Sequence, residues 1–454
     1  MDLVRIFCAL AAAGACLAGA SLAVADPAPI KHNIVSYSLR SGTMANTATA
    51  EREVYSEVIN GGDVPWIRLG FGQVRLAPGS RLQVTSLLDG AMQTLDAKAI
   101  AQWQYTTAYF NGASVRLSLI AAGNTRDNEV EVDRLIVGEW TNGTESQCGP
   151  TDDRVASSEP ARGRLLDIGC TASIYNSASC FITAGHCLST PSLVDVVEFN
   201  VPPSQANGNI VHPGPEDQYA ATTQRQFVDG GIGNDWGLFR VSPNTETGLM
   251  PFEAQGASVT LGTSLPDVGT QLRIVGYGVD DGAANQTQQE NSGPLTQIVG
   301  TSLKYKVDTE GGNSGSAVTR ASDDVVVGIH THAGCNVGGS GANQGTAITL
   351  PSLQSALQTF CTEDTGITCA DISRMSGRCS NTGKTQAIIR MTDTTHLGET
   401  IGLTFDGHPI NARIDFVGGQ FGIAQANLGS GTHTIKLVDP ANCPAIPDVR
   451  VTCP

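Results

Sequence analysis

The sequence predicts an all-β chain built of several domains, on the strength of three observations. Aromatic residues make up only 5% of the 454 residues while glycine numbers 52. Short Val, Ile, Leu and Thr stretches separated by Gly, Asn, Asp and Pro recur throughout, a composition that favours short strands and turns over long helices. From about residue 60 to 137 apolar residues alternate, at Ile67, Leu69 and Phe71, at Leu82 and Val84, and at Val115, Leu117 and Leu119. Period two is the pattern of strands with one buried face, and the length calls for about two to four domains.

Taken in order, residues 1–25 have a short charged start, an apolar stretch and small residues at Ala23 and Ala25. That arrangement reads as a cleaved secretory signal, with the mature chain starting near Asp26. Residues 26–147 form a β domain of sandwich or jelly-roll type, an accessory module or a pro-segment. The polar, turn-rich stretch from Gly138 to Arg164 is a linker. Apolar β-like runs then continue to a short helix, where Leu350, Leu353, Leu357 and Phe360 fall on one face, and they define a middle domain over 148–362. Residues 363–454 alternate again and form a small β domain tied by Cys369, Cys379, Cys443 and Cys453.

Charge and cysteine usage narrow the function. With 27 Lys and Arg against 43 Asp and Glu, the net charge is −16, and no basic run interrupts it. Nucleic acid is not an expected partner. Beyond the leader no apolar run is long enough to span a bilayer, so the expectation is a soluble protein outside the cytoplasm, extracellular or periplasmic, with no membrane partner. Of twelve cysteines, Cys8 and Cys16 leave with the leader. The remaining ten, an even number in an oxidising compartment, are expected in disulfides whose pairing the sequence does not give.

The chemistry centres on "TEGGNSGSAV", where Ser314 lies between glycines. A serine hydroxyl becomes a nucleophile only with a base to take its proton and donors to hold the oxyanion. His186 in "FITAGHC" is the candidate base, because an apolar strand runs into small residues that leave room for an imidazole. Asp235 in "GNDWGLFRV" is the best candidate to orient it, with Asp229 in "FVDGG" the second choice. Singly each has a bland reading: a structural histidine, a strand cap, a glycine turn. Together, the order His186, Asp235, Ser314 is one of the three known chain orders of such a triad.

The segments "TAGHC", "DWGLF" and "GGNSGS" resemble the three signature segments of trypsin-like serine endopeptidases of the chymotrypsin fold. The resemblance covers about residues 148–362. It implies a chymotrypsin-like double β-barrel, flanked here by N-terminal and C-terminal β-sandwich-like domains, and an enzyme that cleaves protein or peptide substrates without a cofactor. It also implies a Cys170–Cys187 disulfide bracketing the histidine and an oxyanion hole made by the N–H groups of Gly312 and Ser314. "IVGYGVD" around Gly276 resembles the glycine-aromatic-glycine segment of the second barrel. Animal digestive members carry an aspartate before the serine that pairs with a newly cut N-terminus. Asn313 cannot form that ion pair, and the "GNSGS" form instead resembles bacterial glutamyl endopeptidases.

Within that resemblance Thr309 and His330 match the pair that holds a substrate carboxylate, which implies cleavage after Glu or Asp. A hydroxyl and an imidazole that becomes cationic beside a carboxylate can bind an anion without a permanent buried charge. Asp308, however, falls at the offset where trypsin's pocket aspartate selects Lys or Arg. The acidic reading is preferred, because His330 has no evident purpose beside an anion that selects lysine, and it requires Asp308 to turn away. "HTHAGC" also offers His330, His332 and Cys335 to a metal, but an exported chain favours a bridged Cys335, so no metal is expected. The rival from another class is a catalytically dead, protease-like binding or adhesion protein.

Overall fold

The computed structural model describes residues 27–139, 148–190 and 194–361 and, beyond them, 367–379, 384–392, 400–406, 408–415, 421–426, 428–439, 443 and 445–453. The leader expected over 1–25 lies outside the described residues. The chain divides into two compact units, Met1–Cys361 and Thr362–Pro454.

The alternating stretches of the N-terminal region are strands of two antiparallel sheets. One is ordered His32–Arg40, Thr125–Gly138, Trp66–Arg75, Phe110–Asn111. The other runs Arg52–Asn60, Ser114–Ala121, Arg81–Ser86, Met92–Leu95. Ile67, Leu69, Phe71, Leu82, Val84, Val115, Leu117 and Leu119 meet in one apolar cluster, as the period-two pattern requires.

Two closed six-stranded barrels follow. The first is ordered Arg162–Asp167, Cys170–Ile174, Cys180–Thr183, Asp235–Val241, Gln218–Asp229, Val194–Glu198. The second runs Gln271–Gly276, Ala317–Arg320, Val325–His332, Asn343–Ala347, Ser302–Tyr305, Gln289–Val299, and closes because the last strand pairs with both the first and Ser302–Tyr305. Helix Pro351–Thr359 ends this part, with Leu353 buried against the first barrel's core and Leu350, Leu357 and Phe360 packed around it. The second unit is a run of seven antiparallel strands from Ile372–Cys379 to Val449–Cys453, with Ile389, Leu403, Phe405 and Ile435 in its core.

Each of the ten cysteines is bridged, as Cys148–Cys335, Cys170–Cys187, Cys180–Cys361, Cys369–Cys443 and Cys379–Cys453. Among the described residues no helix is long and apolar enough to cross a membrane.

The N-terminal sandwich ends in the sequence near residue 138 but not in the packing. Strand Trp66–Arg75 is buried on both faces over its first six residues. Ile67 and Leu69 face the sandwich core, while Trp66 and Arg68 meet the first barrel. The Trp66 ring lies edge-on to His212 at 5.4 Å. Arg68 pairs with Asp195, donates to Thr107 O at 2.8 Å and covers the Tyr109 ring at 4.3 Å. Leu166, Val196, Ile210 and Ala220 of the barrel region belong to the same apolar cluster as the sandwich core. Tyr109 exchanges two 2.9 Å bonds between its backbone and the Gln218 amide, and its hydroxyl donates to Asp167.

That contact is pH-sensitive. Burial, with help from the neighbouring Asp195 carboxylate, pushes Asp167 up to about 6, against the opposing pull of Arg68, Tyr109 and His32. The folded chain therefore holds this proton more tightly than the unfolded chain, so its contribution to stability is present below about pH 4 and is lost as pH rises through about 6. Asp167→Asn, which keeps an acceptor for Tyr109, is expected to raise thermal stability at pH 8 by on the order of 2–3 kcal/mol and to change it little at pH 4. Thermal melts of both proteins across that range check this, and an unchanged difference between pH 4 and 8 contradicts it.

Candidate active site

His186 opens a short 3-10 turn, His186–Leu188, just past the strand Cys180–Thr183. That strand pairs with Asp235–Val241, Thr183 opposite Gly237, so Asp235 at the start of the second strand comes level with the turn. The carboxylate binds His186 twice, accepting from its backbone N–H at 3.0 Å through Oδ1 and lying 2.6 Å from its Nδ1 through Oδ2. With the acid on Nδ1, the imidazole proton is fixed there and Nε2 is left as the basic atom. Nε2 is buried and makes no hydrogen bond among the described residues. Asp235 is fully buried and its own N–H is bound by Thr346 Oγ1 at 3.0 Å. Asp229 pairs across the ladder from Asp235 and is exposed to solvent; its carboxylate makes no bond to His186.

Ser314 is brought to this corner by the second barrel. Its carbonyl accepts from Thr171 N–H at 2.8 Å and lies 3.8 Å from the Sγ of Cys187, the residue after the histidine. The neighbouring N–H groups are already bound, that of Asn313 by Glu310 O at 2.9 Å and that of Gly315 by His330 O at 2.8 Å. The N–H groups of Gly312 and Ser314 alternate with them. Two glycines are required here. Gly312 has φ +102° and a Cβ would strike Tyr277 O, while Gly315 has φ +87° and a Cβ would strike Thr171 O and Thr183 Oγ1.

The three residues singled out for the specificity pocket separate. Thr309 is buried and its hydroxyl accepts from Asn343 Nδ2 at 2.8 Å, leaving its proton to donate. His330 is fully buried and its Nδ1 lies 2.7 Å from the Tyr305 hydroxyl. Its Nε2 makes no bond among the described residues. Burial pushes this imidazole down to about 3, with nearby His332 and His186 adding to the effect, so it is neutral when alone. Asp308 faces elsewhere: Oδ1 accepts from Cys148 N–H at 2.9 Å and Oδ2 from Asp153 N–H at 3.1 Å. Tyr305 and Asn343 carried no signal in the sequence. They stand opposite one another in the pairing of Ser302–Tyr305 with Asn343–Ala347, a register that only the folded sheet supplies.

Of the three residues that "HTHAGC" offers to a metal, His330 and His332 are separated by a register shift in the pairing of Val325–His332 with Asn343–Ala347. Cys335 is bridged to Cys148. Among the described residues, one group of potential metal ligands comes together, Cys170, His186 and Cys187. Both cysteines are joined to each other, leaving no thiolate to bind a metal.

Residues 170–329 match the family of the trypsin-like peptidase domain. No curated protein matches the chain. Among solved structures, a Glu endopeptidase in complex with MPD shares 19% identity over 46% of this chain and 97% of its own, with a TM-score of 0.36. A thermostable serine protease, AL20, from an extremophilic microorganism shares 15% identity over 42% of this chain and 91% of its own, with a TM-score of 0.33. The matched segment lies across the two closed barrels, so this part of the chain carries a trypsin-like peptidase domain with the chymotrypsin-like double-barrel fold.

Proposed function

We propose that Ser314 is the nucleophile, His186 the general base and Asp235 its orienting acid. On this reading the protein is an exported endopeptidase that cleaves after Glu and, second, Asp. The observation that carries the catalytic assignment is the double hold of Asp235 on His186, which leaves a buried, unpartnered Nε2 at the corner that the Ser314 loop enters. In this chemistry Ser314 Oγ attacks the substrate carbonyl carbon and its proton passes to His186 Nε2. The carbonyl π electrons move to oxygen, and the oxyanion is held by the N–H groups of Gly312 and Ser314. Collapse breaks the C–N bond, the amine leaves with the proton from Nε2, and water repeats the sequence on the acyl-serine.

The acidic preference is supported by what surrounds His330. The Tyr305 hydroxyl has a nearby acceptor in Nδ1, and if it donates there, the imidazole proton resides on Nε2, the atom left without a partner. Nε2–H and the Thr309 hydroxyl are then two donors suited to a carboxylate. Asp308 bound to backbone N–H groups removes the anion that a basic side chain would need. Export is supported by the five disulfides.

A serine-directed covalent inhibitor, such as a fluorophosphonate, tests the catalytic reading. It is expected to label the purified protein once, at Ser314 by peptide mapping, and not to label Ser314→Ala. Absence of label on the intact protein would favour the non-catalytic binding protein.

A further inference from the structure

The segment just ahead of the first barrel wraps the back of the Ser314 loop, and one of its side chains is unusual. Arg154 is a cation whose side chain is only 2% exposed. Its Nε lies 3.0 Å from both oxygens of Asp152, and its backbone N–H donates to the same carboxylate at 3.0 Å. Burial works against ionisation of Asp152, but these bonds hold its carboxyl below the usual range. The Asp152 carboxylate thus fixes the direction of the guanidinium. Nη2 then donates to Val279 O at 2.8 Å, with Asp280 a further 3.7 Å contact.

Val279 is the link to the catalytic loop. Its N–H donates to Gly311 O at 2.8 Å, and Tyr277 O, two residues earlier, lies against the α-carbon of Gly312 closely enough to forbid any side chain there. Between them, a Cβ at Gly278 would strike both Arg154 Nη1 and Asn313 Nδ2. Tyr277, Gly278 and Val279 therefore form the backing of residues 311–313, and the Arg154 guanidinium and the Asn313 amide meet over the α-carbon of Gly278. The same segment is fastened at two other points, by Asp153 N–H and Cys148 N–H on Asp308 and by the Cys148–Cys335 bridge.

We propose that Arg154 is a positioning residue for the oxyanion-binding loop, holding the Tyr277–Val279 segment against Gly311 and Gly312 and so fixing where the Gly312 and Ser314 N–H groups point. The proposal rests on the assignment of those N–H groups as the oxyanion hole. It gives the buried Arg154 a role in the chemistry although it touches no substrate, and it gives Asp308 a place in the same fastening. The loop is thereby held by an internal side chain, in a protein whose Asn313 cannot recruit a chain terminus by charge.

The test compares Arg154→Ala and the milder Arg154→Lys with the parent, using full-length protein normalised to titrated active sites. A donor removed outright from an oxyanion hole costs about 10²–10³ in kcat. Misalignment in Arg154→Ala is expected to cost about 30- to 100-fold in kcat with KM changed less than about threefold, and Arg154→Lys to recover about a third or more of the loss. A peptidyl boronate, which places an oxygen in the hole, is expected to bind the alanine variant more weakly by the same factor. The corresponding product acid, whose planar carboxylate develops no tetrahedral oxyanion, is expected to lose much less affinity.

Added guanidinium at about 50 mM should restore part of the kcat of Arg154→Ala and leave Arg154→Lys unaffected. A variant that merely melts earlier, with kcat and boronate affinity unchanged per titrated site, overturns the proposal, as does an equal loss of boronate and product affinity. If the parent itself binds boronate no better than product acid, it is the oxyanion-hole assignment that fails.

Discussion

Ser314→Ala and His186→Ala are each expected to lose on the order of 10⁴- to 10⁶-fold in kcat while the chain still folds. Ser314→Ala is the cleaner of the two. Its backbone carbonyl, bound by Thr171 N–H, and the flanking bonds of Asn313 and Gly315 do not involve the hydroxyl, so the loop keeps its course. His186→Ala removes the ring that lies 2.6 Å from the fully buried Asp235 carboxylate. The carboxylate keeps the backbone N–H of residue 186 on Oδ1, and the Asp235 backbone stays anchored by its own N–H on Thr346 Oγ1, so a stability loss of about 1–3 kcal/mol is expected rather than unfolding. The two losses should be far from additive in the double variant, because base and nucleophile act as a unit. Single-turnover assays beside thermal melts check both points. Retention of most activity by purified Ser314→Ala overturns the assignment.

The residues proposed for catalysis stand out in the sequence because each of the three segments marks its own place in a sheet. "FITAGHC" is a strand followed by residues too small to crowd a ring, "DWGLF" is an acid at a strand start, and "GGNSGS" places glycine at the two positions, 312 and 315, whose φ is left-handed and whose Cβ would strike backbone. These are local constraints, so local sequence carries them.

What the sequence did not carry is set by partners far away in the chain. Period two in strand Trp66–Arg75 gives the face that includes Ile67, Leu69 and Phe71, but not that Trp66 and Arg68 on the other face are covered by the first barrel. Hence the N-terminal sandwich reads as a separate module in sequence and packs as part of the peptidase unit. The Cys148–Cys335 and Cys180–Cys361 bridges close separations of 187 and 181 residues, which cysteine counting cannot assign. Asp308 was ambiguous for the same reason. Its orientation depends on two N–H groups at Cys148 and Asp153, about a third of the chain away.

The second large effect is expected at the specificity pocket: His330→Ala should lower kcat/KM for glutamyl substrates about 10- to 150-fold relative to glutaminyl ones. The reasoning starts from burial. With the imidazole pushed down to about 3, the empty pocket holds a neutral ring, so the carboxylate meets a neutral Nε2–H donor rather than a fixed cation. A hydrogen bond from a neutral donor to a charged acceptor is worth roughly 1.5–3 kcal/mol, which is the factor stated. The arriving anion also favours the protonated ring, working against desolvation.

Tyr305→Phe removes the hydroxyl beside Nδ1, letting the proton move to that nitrogen, and should lose a smaller part of the same preference. Because the discrimination requires an ionised substrate side chain, it should fade as pH falls through about 4.3, the ordinary glutamate value, even where residual turnover can still be measured. Cleavage-site profiling on a peptide library with the parent and both variants measures all of this. Cleavage after Lys or Arg that disappears in Asp308→Ala would reverse the assignment and make Asp308 the selector, in spite of its two backbone donors. Asp308→Ala is otherwise expected to leave the order of side-chain preferences as it is and to loosen the 148–154 segment.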